Sequence, residues 1–326
     1  MKYRMIHLRV LIPALCLLSA SCGRQQEAHP NSQASPTPAG AQTQAQNQAQ
    51  PDVQKQRQEA EQQARPEIEK QRQEAQQQAE KSLDKEAVAA IDETQNAVKA
   101  IAANNSDEAL AAIERATGKI NILLSRNPAT ALIPVAAEVE VIDAAPLDIK
   151  AIKARATDAK RAMDDKDYPV ARVLLYSLTS EIRSRTFNLP LATYPDAMKE
   201  AARLLDQKKP DEAKTLLLTA LNTLVVIDHV TPVPLVLAQA AVGAAQDLRD
   251  KDKAEAQRLL DEAQYEVERA RELGYAGNDP EYAALDKAIS DLEGQLKGGG
   301  DTASAFSALK DRVSAFFKRL SERAHG

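Results

Sequence analysis

Few residues of the types that carry catalysis or metal binding occur in this chain. Its 326 residues include four His, two Cys and no Trp. Of the four histidines, only His229 lies in a part of the sequence that is expected to fold. Its neighbour Asp228 is not expected to pair with it, because residues adjacent in sequence do not face each other on a helix. No Gly-x-Ser-x-Gly, His-Glu-x-x-His or paired-cysteine motif is present. We therefore expect no catalytic residues, no metal ligands and no cofactor.

Two residues are candidates for a functional role, His229 and Tyr194. An imidazole titrates near neutral pH, so His229 is a candidate pH sensor, and a structural histidine beside a proline-rich turn is the simpler interpretation. Tyr194 lies in the proline-rich stretch 189–195, and His229 precedes a second one, 230–235. We expect these two stretches to border a binding groove that both side chains enter.

The N-terminal residues resemble a bacterial lipoprotein signal. Three basic residues precede a short apolar run, and the motif Leu-Ser-Ala-Ser-Cys ends at Cys22, with Ser19 where leucine is more usual. The resemblance implies a signal peptide over residues 1–21 and lipidation of Cys22. Because glycine rather than aspartate follows the cysteine, it also implies the periplasmic face of the outer membrane. An ordinary secretory signal, leaving a soluble periplasmic protein, is the alternative.

Residues 22–82 have the composition of a polar, lipid-anchored spacer. Their only large apolar residues are Val53 and Ile68, too few to offset the entropy of ordering a chain. The motif Lys-Gln-Arg-Gln-Glu-Ala occurs at 55–60 and again at 70–75, and favours a helix that is polar on all faces. We expect disorder at first, then a semi-rigid helical tether. The alternative is a low-complexity tail that has no function.

From residue 83 onward, apolar residues recur every three or four positions, which predicts helices. Four segments share an alanine followed by apolar residues three, four and seven positions later. These anchors are separated by 62, 42 and 43 residues: Ala109, Ala171, Ala213 and Ala256. With only 3% aromatic residues, the sequence predicts a mostly all-α fold, either a helical-hairpin bundle or a short quasi-repeat. Later helices are expected over 165–185, 194–207, 209–227 and 251–273.

Some stretches interrupt the helical pattern. Alternating side chains over 135–142 predict a strand, and 186–192 is a second β segment. The prolines of 225–237 confine that stretch to a sheet edge or a loop. Three of the four Phe fall on one face of the C-terminal segment 306–320, which we expect to pack on the body after the Gly-Gly-Gly linker at 298–300.

Five passages of the folded part carry a resemblance to a known family. They are Glu-Ala-Val-Ala-Ala-Ile-Asp-Glu-Thr at 86–94, Ile-Pro-Val at 133–135, Arg-Thr-Phe-Asn-Leu-Pro-Leu-Ala-Thr-Tyr-Pro at 185–195, Ile-Asp-His-Val-Thr-Pro-Val-Pro-Leu at 227–235, and Leu-Gly-Tyr at 273–275. Residues 83–326 thereby resemble one YfdX domain, from a family of bacterial exported proteins. The resemblance implies a mostly helical periplasmic protein that self-associates, is linked to envelope stress and has no established enzymatic activity.

Charge and composition reduce the number of possible functions. A net charge of −5 offers no basic surface for nucleic acid. We expect a non-enzymatic, membrane-tethered periplasmic protein for binding or stress protection, chaperone-like and pH-responsive. Its expected partners are outer-membrane lipid through Cys22, further copies of itself, and envelope clients or small amphiphiles. The alternative is a small-molecule binding module with a defined pocket. A hydrolase is third, because 47 acidic residues always offer carboxylate pairs.

Overall fold

Pairs of helices alternate with single strands in the computed structural model, which describes residue 62 and residues 65–277, 279–299 and 302–323. Helix α1 covers residues 65–82. The later elements are α2 Lys85–Ala102, α3 Ser106–Arg126, β1 Leu132–Asp143, α4 Ile149–Asp164, α5 Tyr168–Tyr176, β2 Ser180–Pro190, α6 Tyr194–Asp206, α7 Pro210–Asn222, β3 Val225–Pro232, α8 Val233–Leu248, α9 Lys253–Glu272, α10 Glu281–Lys297 and α11 Ala303–Arg323. The predicted fold class, mostly all-α with small β segments, is confirmed. The predicted signal peptide and Cys22 lie outside the described residues.

Each helix pair is a hairpin, in which α2 packs on α3, α4 on α5, α6 on α7 and α8 on α9. The alanine anchors all lie on the second helix of a pair and are at most 3% exposed: Ala109, Ala171, Ala213 and Ala256. Small side chains at these positions let the two helices approach closely. A strand follows each of the first three hairpins, so the structural repeat is helix, helix, strand.

Local sequence signals set several helix ends. The Asp84 carboxylate accepts hydrogen bonds from the backbone N–H groups of Glu86 and Ala87 and so caps the start of α2. After α9, Gly274 adopts a φ of +88°, which glycine tolerates better than other residues. The Gly274 and Tyr275 N–H groups then donate to carbonyl groups of the last helical turn. Gly274 is thus the first residue after the C-cap Leu273 and ends α9.

Two helices end earlier in the structure than the sequence predicts. The helix expected over 165–185 ends at Tyr176, and the one expected over 209–227 ends at Asn222. In both cases the following residues are a strand. Side-chain periodicity overestimated these helices because pairing between β2 and β3, distant in sequence, overrides local helical preference.

The three strands form one antiparallel sheet in the order β1–β2–β3. Pro134 lies at an irregularity in the pairing of edge strand β1 with β2, whereas Pro190 and Pro232 are the last residues of β2 and β3. The prolines of the sheet therefore lie at an irregularity or at a strand end. Side chains alternate between the two faces along a strand, and Ile182 is paired with Thr231 across β2 and β3. Ile182, His229 and Thr231 therefore lie on one face of this sheet. The other face carries paired charges, among them Arg185 and Asp228.

Three apolar clusters stabilise the described part of the chain. The first lies among α2, α3, α6 and α7, and the second among α8 to α11, where Phe306 and Phe316 of the C-terminal helix are buried. The predicted packing of that helix on the body is thus confirmed. The third cluster joins Ile68 of α1 to Ile182 of β2 and to residues of α8. A residue of the expected spacer therefore packs against the folded body.

Candidate functional site

One face of α1 lines a cavity of 540 Å³. The lining residues Gln71, Glu74, Ala75 and Gln78 are spaced by three, one and three positions, so they share one side of the helix. Ile68 lies one turn earlier and is only 8% exposed. This buried side chain holds the lining face of α1 against the body.

The opposite wall of the cavity comes from the sheet and from two helices of the C-terminal half. Its residues are Ile182, His229, Thr231, Gln239, Ser314, Phe317 and Lys318. The side-chain amide of Gln239 donates to the Ser314 hydroxyl at 2.7 Å and joins α8 to α11 at this wall. Eight of the eleven lining side chains carry an amide, hydroxyl, imidazole or charged group, while Ala75, Ile182 and Phe317 are apolar, so the cavity offers both polar and apolar surface.

His229 is half-buried and lies inside β3, with Ser184 as its cross-strand neighbour. Asp228 points to the other face of the sheet, where its two carboxylate oxygens accept hydrogen bonds from Arg185 at 2.8 and 2.9 Å. These hydrogen bonds hold the pKa of Asp228 below its usual value. His229 and Asp228 are thus not a hydrogen-bonded pair of the kind used in hydrolysis. The ionisable side chains lining the cavity with His229 are Glu74 and Lys318.

Tyr194 lies in the first apolar core and does not line the cavity with His229. It is 1% exposed, and its hydroxyl donates to Thr94 Oγ1 at 2.9 Å. Burial raises its pKa to about 12. Leu189 and Leu191 are also buried, so the expectation of a groove along 189–195 is wrong: the apolar residues of this stretch turn inward. Only the second stretch, through Thr231, reaches the cavity.

Sequence reasoning missed the contribution of α1. Its lining residues are common in spacers, and one isoleucine in a polar segment is a weak signal. The signal that was present is the position of Ile68, three residues before Gln71 and therefore on the same helical face. Within the described ranges, no cluster of His, Cys, Asp and Glu could hold a metal ion. None of the helices described is long and apolar enough to cross a membrane.

A second surface feature is the exposed apolar surface of the α4–α5 hairpin, which extends around much of the circumference of α5. Six of the twelve large apolar side chains that are exposed in the described part lie there: Met163, Tyr168, Val170, Val173, Leu175 and Tyr176. Their exposed fractions run from 47% to 70%. Such a concentration of exposed apolar side chains is typical of interaction surfaces.

Comparison with known proteins identifies the central part of the chain. The family model described as YfdX protein matches residues 90–230. The chain carries a YfdX domain. The match runs from α2 into β3, so it includes the α4–α5 hairpin and His229, whereas α1 and the helices from α8 onward lie outside it.

Among solved structures, that of YfdX from Salmonella Typhi is similar at 15% sequence identity. The similarity covers 45% of this chain and 91% of that chain, with a TM-score of 0.32. No curated protein matches the sequence.

Proposed function

We propose that this YfdX-domain protein is a non-enzymatic, membrane-tethered periplasmic protein that binds apolar segments of client proteins. The single observation that carries the proposal is the exposed apolar surface of the α4–α5 hairpin. Unfolding envelope proteins expose apolar segments, and burial of such segments against this surface would be favourable by about 25 cal/mol per Å². This activity would protect clients from aggregation under stress.

The internal repeat strengthens this argument. The residue four positions after each alanine anchor is buried in three hairpins, where Ile113, Leu217 and Leu260 are at most 1% exposed. The equivalent residue of α5, Leu175, is 51% exposed. An apolar position that the other hairpins use for packing is thus left for a partner on this one.

A test is suppression of light scattering by a heat-denatured client such as malate dehydrogenase. We expect the wild-type protein to suppress scattering, and Val173→Asp and Leu175→Asp to need at least five-fold more protein for the same effect. Both side chains are exposed, so the substitutions should leave the fold intact. Leu218→Asp, at a 42% exposed position of α7, is the matched control and should behave as wild type. Equal suppression by all variants would refute the role of this surface.

The tether is the second part of the proposal. It rests on the resemblance of residues 1–22 to a lipoprotein signal, with Cys22 as the lipidated residue. Two or more acyl chains hold a protein stably at a membrane, whereas one is marginal. Cys22→Ala should move the protein from the outer-membrane fraction to the soluble periplasmic fraction. Its persistence in the membrane fraction would argue against the lipid anchor.

The third part is a response to pH through His229, which shares its cavity with Glu74 and Lys318. A charged imidazole there would alter the contact between α1 and the sheet. We expect self-association or client protection to change between pH 7 and pH 5, and His229→Gln to remove most of that change. The same pH response in His229→Gln would exclude His229 as the sensor.

The alternative function, a small-molecule binding module, is favoured by the 540 Å³ cavity. Titration with dodecyl maltoside below its micellar concentration, followed by amide chemical shifts, distinguishes the two functions. Shifts centred on Ile182 and Thr231 would favour a ligand pocket. Shifts centred on Val173 and Leu175 would favour the exposed apolar surface of the α4–α5 hairpin as the binding site.

A further inference from the structure

The residues through which α1 contacts the body occur twice in the chain. The contacting face consists of Ile68, Gln71, Glu74, Ala75, Gln78 and Ala79. Fifteen residues earlier the sequence has Val53, Gln56, Glu59, Ala60, Gln63 and Ala64. Five of these six positions are identical, and the sixth exchanges one β-branched apolar residue for another. The first copy spans 52–64 and the second 67–79.

The agreement is informative because the repeat preserves the contacting positions. The two copies differ at 67, 69 and 76, none of which lines the cavity, and at Ile68 only by one methylene. Residue 69, for example, is exposed, and its glutamate side chain forms an ion pair with Arg72 on the surface of α1. Positions 70, 72, 73 and 77, which do not line the cavity, are identical in the two copies as well, so the first copy carries the complete contacting face in the same register.

We propose that the groove facing α1 is a receptor for this motif, and that residues 52–64 bind it in place of residues 67–79. The groove is formed by Ile182, Thr231, Gln239 and Phe317 together with their neighbours around the cavity. Each chain thus has one groove and two segments that fit it. This inference does not depend on the proposed client-binding function, which involves α4–α5.

Binding of the first copy is feasible for the chain. Asp84, just after α1, donates its N–H to the Pro134 carbonyl at 3.1 Å and so fixes the start of the body. With the first copy in the groove, the nineteen residues 65–83 would connect it to Asp84. The second copy remains the preferred occupant, because Ile68 buries one methylene more than Val53, which corresponds to about four-fold in affinity.

The exchange would change the length of the tether. Thirty residues separate Cys22 from Val53, and forty-five separate it from Ile68. Moving from the second copy to the first therefore transfers fifteen residues from the membrane side of the groove to the body side. At full extension these residues span about 50 Å.

The test uses the full mature chain with p-benzoylphenylalanine in place of Lys318, an exposed residue that lines the groove opposite α1. After irradiation, mass spectrometry identifies the crosslinked segment. Ala315, exposed on the same helix but outside the cavity lining, is the control position and should yield at least ten-fold fewer crosslinks to either copy. Mixing ¹⁴N-labelled with ¹⁵N-labelled chains separates crosslinks within one chain from those between chains.

In the wild-type background we expect crosslinks mainly to 67–79. Ile68→Gln should raise the ratio of crosslinks at 52–64 to those at 67–79 at least ten-fold, whereas Val53→Gln should leave only those at 67–79. The double variant should lose both. Thermal unfolding followed by circular dichroism checks that the body remains folded in each variant. An Ile68→Gln protein that remains folded without crosslinks to 52–64, or whose crosslinks join different chains, would overturn the proposal.

Discussion

Arg269 and Glu266 form a buried ion pair on adjacent turns of α9, with Nη1 of the arginine 3.1 Å from Oε2 of the glutamate. The arginine side chain is fully buried and that of the glutamate is 4% exposed. The Arg269 Nε also donates to the Pro146 carbonyl at 3.2 Å, and Nη2 lies 3.8 Å from an oxygen of Asp143. This arginine therefore joins α9 to the end of β1 and the segment that follows it.

Removing the arginine alone should be strongly destabilising, because it leaves the Glu266 carboxylate buried without its cation. We expect Arg269→Met to lower the free energy of unfolding by about 3–5 kcal/mol, measured by urea denaturation. Arg269→Met combined with Glu266→Met should recover much of that loss. Arg271→Met, at a 40% exposed position on the same helix, is the control and should change stability by less than about 0.5 kcal/mol. A double variant no more stable than the single one would contradict this account.

The hydrogen bond between Tyr194 and Thr94 is a buried polar contact inside the first core. Tyr194→Phe removes the donor, while the Thr94 hydroxyl keeps its own bond to the Ala90 carbonyl at 2.8 Å. We expect a loss of about 1 kcal/mol in the free energy of unfolding. Tyr168→Phe, on the exposed α5, should have no measurable effect. A Tyr194→Phe protein as stable as the wild type would show that the hydroxyl contributes nothing net.

The ion pair of Asp228 with Arg185 should give the stability a dependence on acid pH. The pKa of Asp228 is lower in the folded protein than in the unfolded chain, so its contribution is present above the unfolded value and is lost as pH falls through the folded one. Because both side chains are about one third exposed, the contribution should not exceed about 1 kcal/mol at pH 7.

Urea denaturation between pH 7 and pH 2.5 checks this prediction. Asp228→Asn should lose less stability over that range than the wild type, whereas Asp196→Asn, at an 80% exposed surface pair, should follow the wild-type curve. Identical pH dependence of Asp228→Asn and wild type would exclude a contribution from this pair.

Two glycines should respond in opposite directions to replacement by alanine. Gly274 has a φ of +88°, so Gly274→Ala should cost about 1 kcal/mol in backbone strain, although nothing lies within 4 Å of the new methyl group. Gly243 lies inside α8 with equally open space around it. Gly243→Ala should stabilise the protein by about 0.5–1 kcal/mol, because alanine is the better helix former. Thermal unfolding would reveal the two signs, and a shift in the same direction for both would contradict the assigned conformations.

Much of the fold follows from local sequence signals. The spacing around Ala213 and Ala256, and the glycine after α9, describe single helices and their ends, which depend on residues only a few positions apart. The alternation over 135–142 likewise predicted most of β1. The third strand was assigned only to an edge or a loop, because Pro232 and Pro234 weigh against a regular element. In the structure Pro232 ends β3 and Pro234 lies in the first turn of α8, where proline costs no hydrogen bond.

The sequence by itself determined the helical class, the hairpin repeat anchored on buried alanines, and the scarcity of residues for catalysis. Tertiary structure alone decided which faces meet. It separated Tyr194 from His229, turned Asp228 away from its neighbour, and placed Gln71 and Gln78 of the expected spacer opposite His229. The reason is physical: a helix or a cap depends on neighbouring residues, whereas a cavity wall depends on contacts between segments more than a hundred residues apart, which no local pattern records.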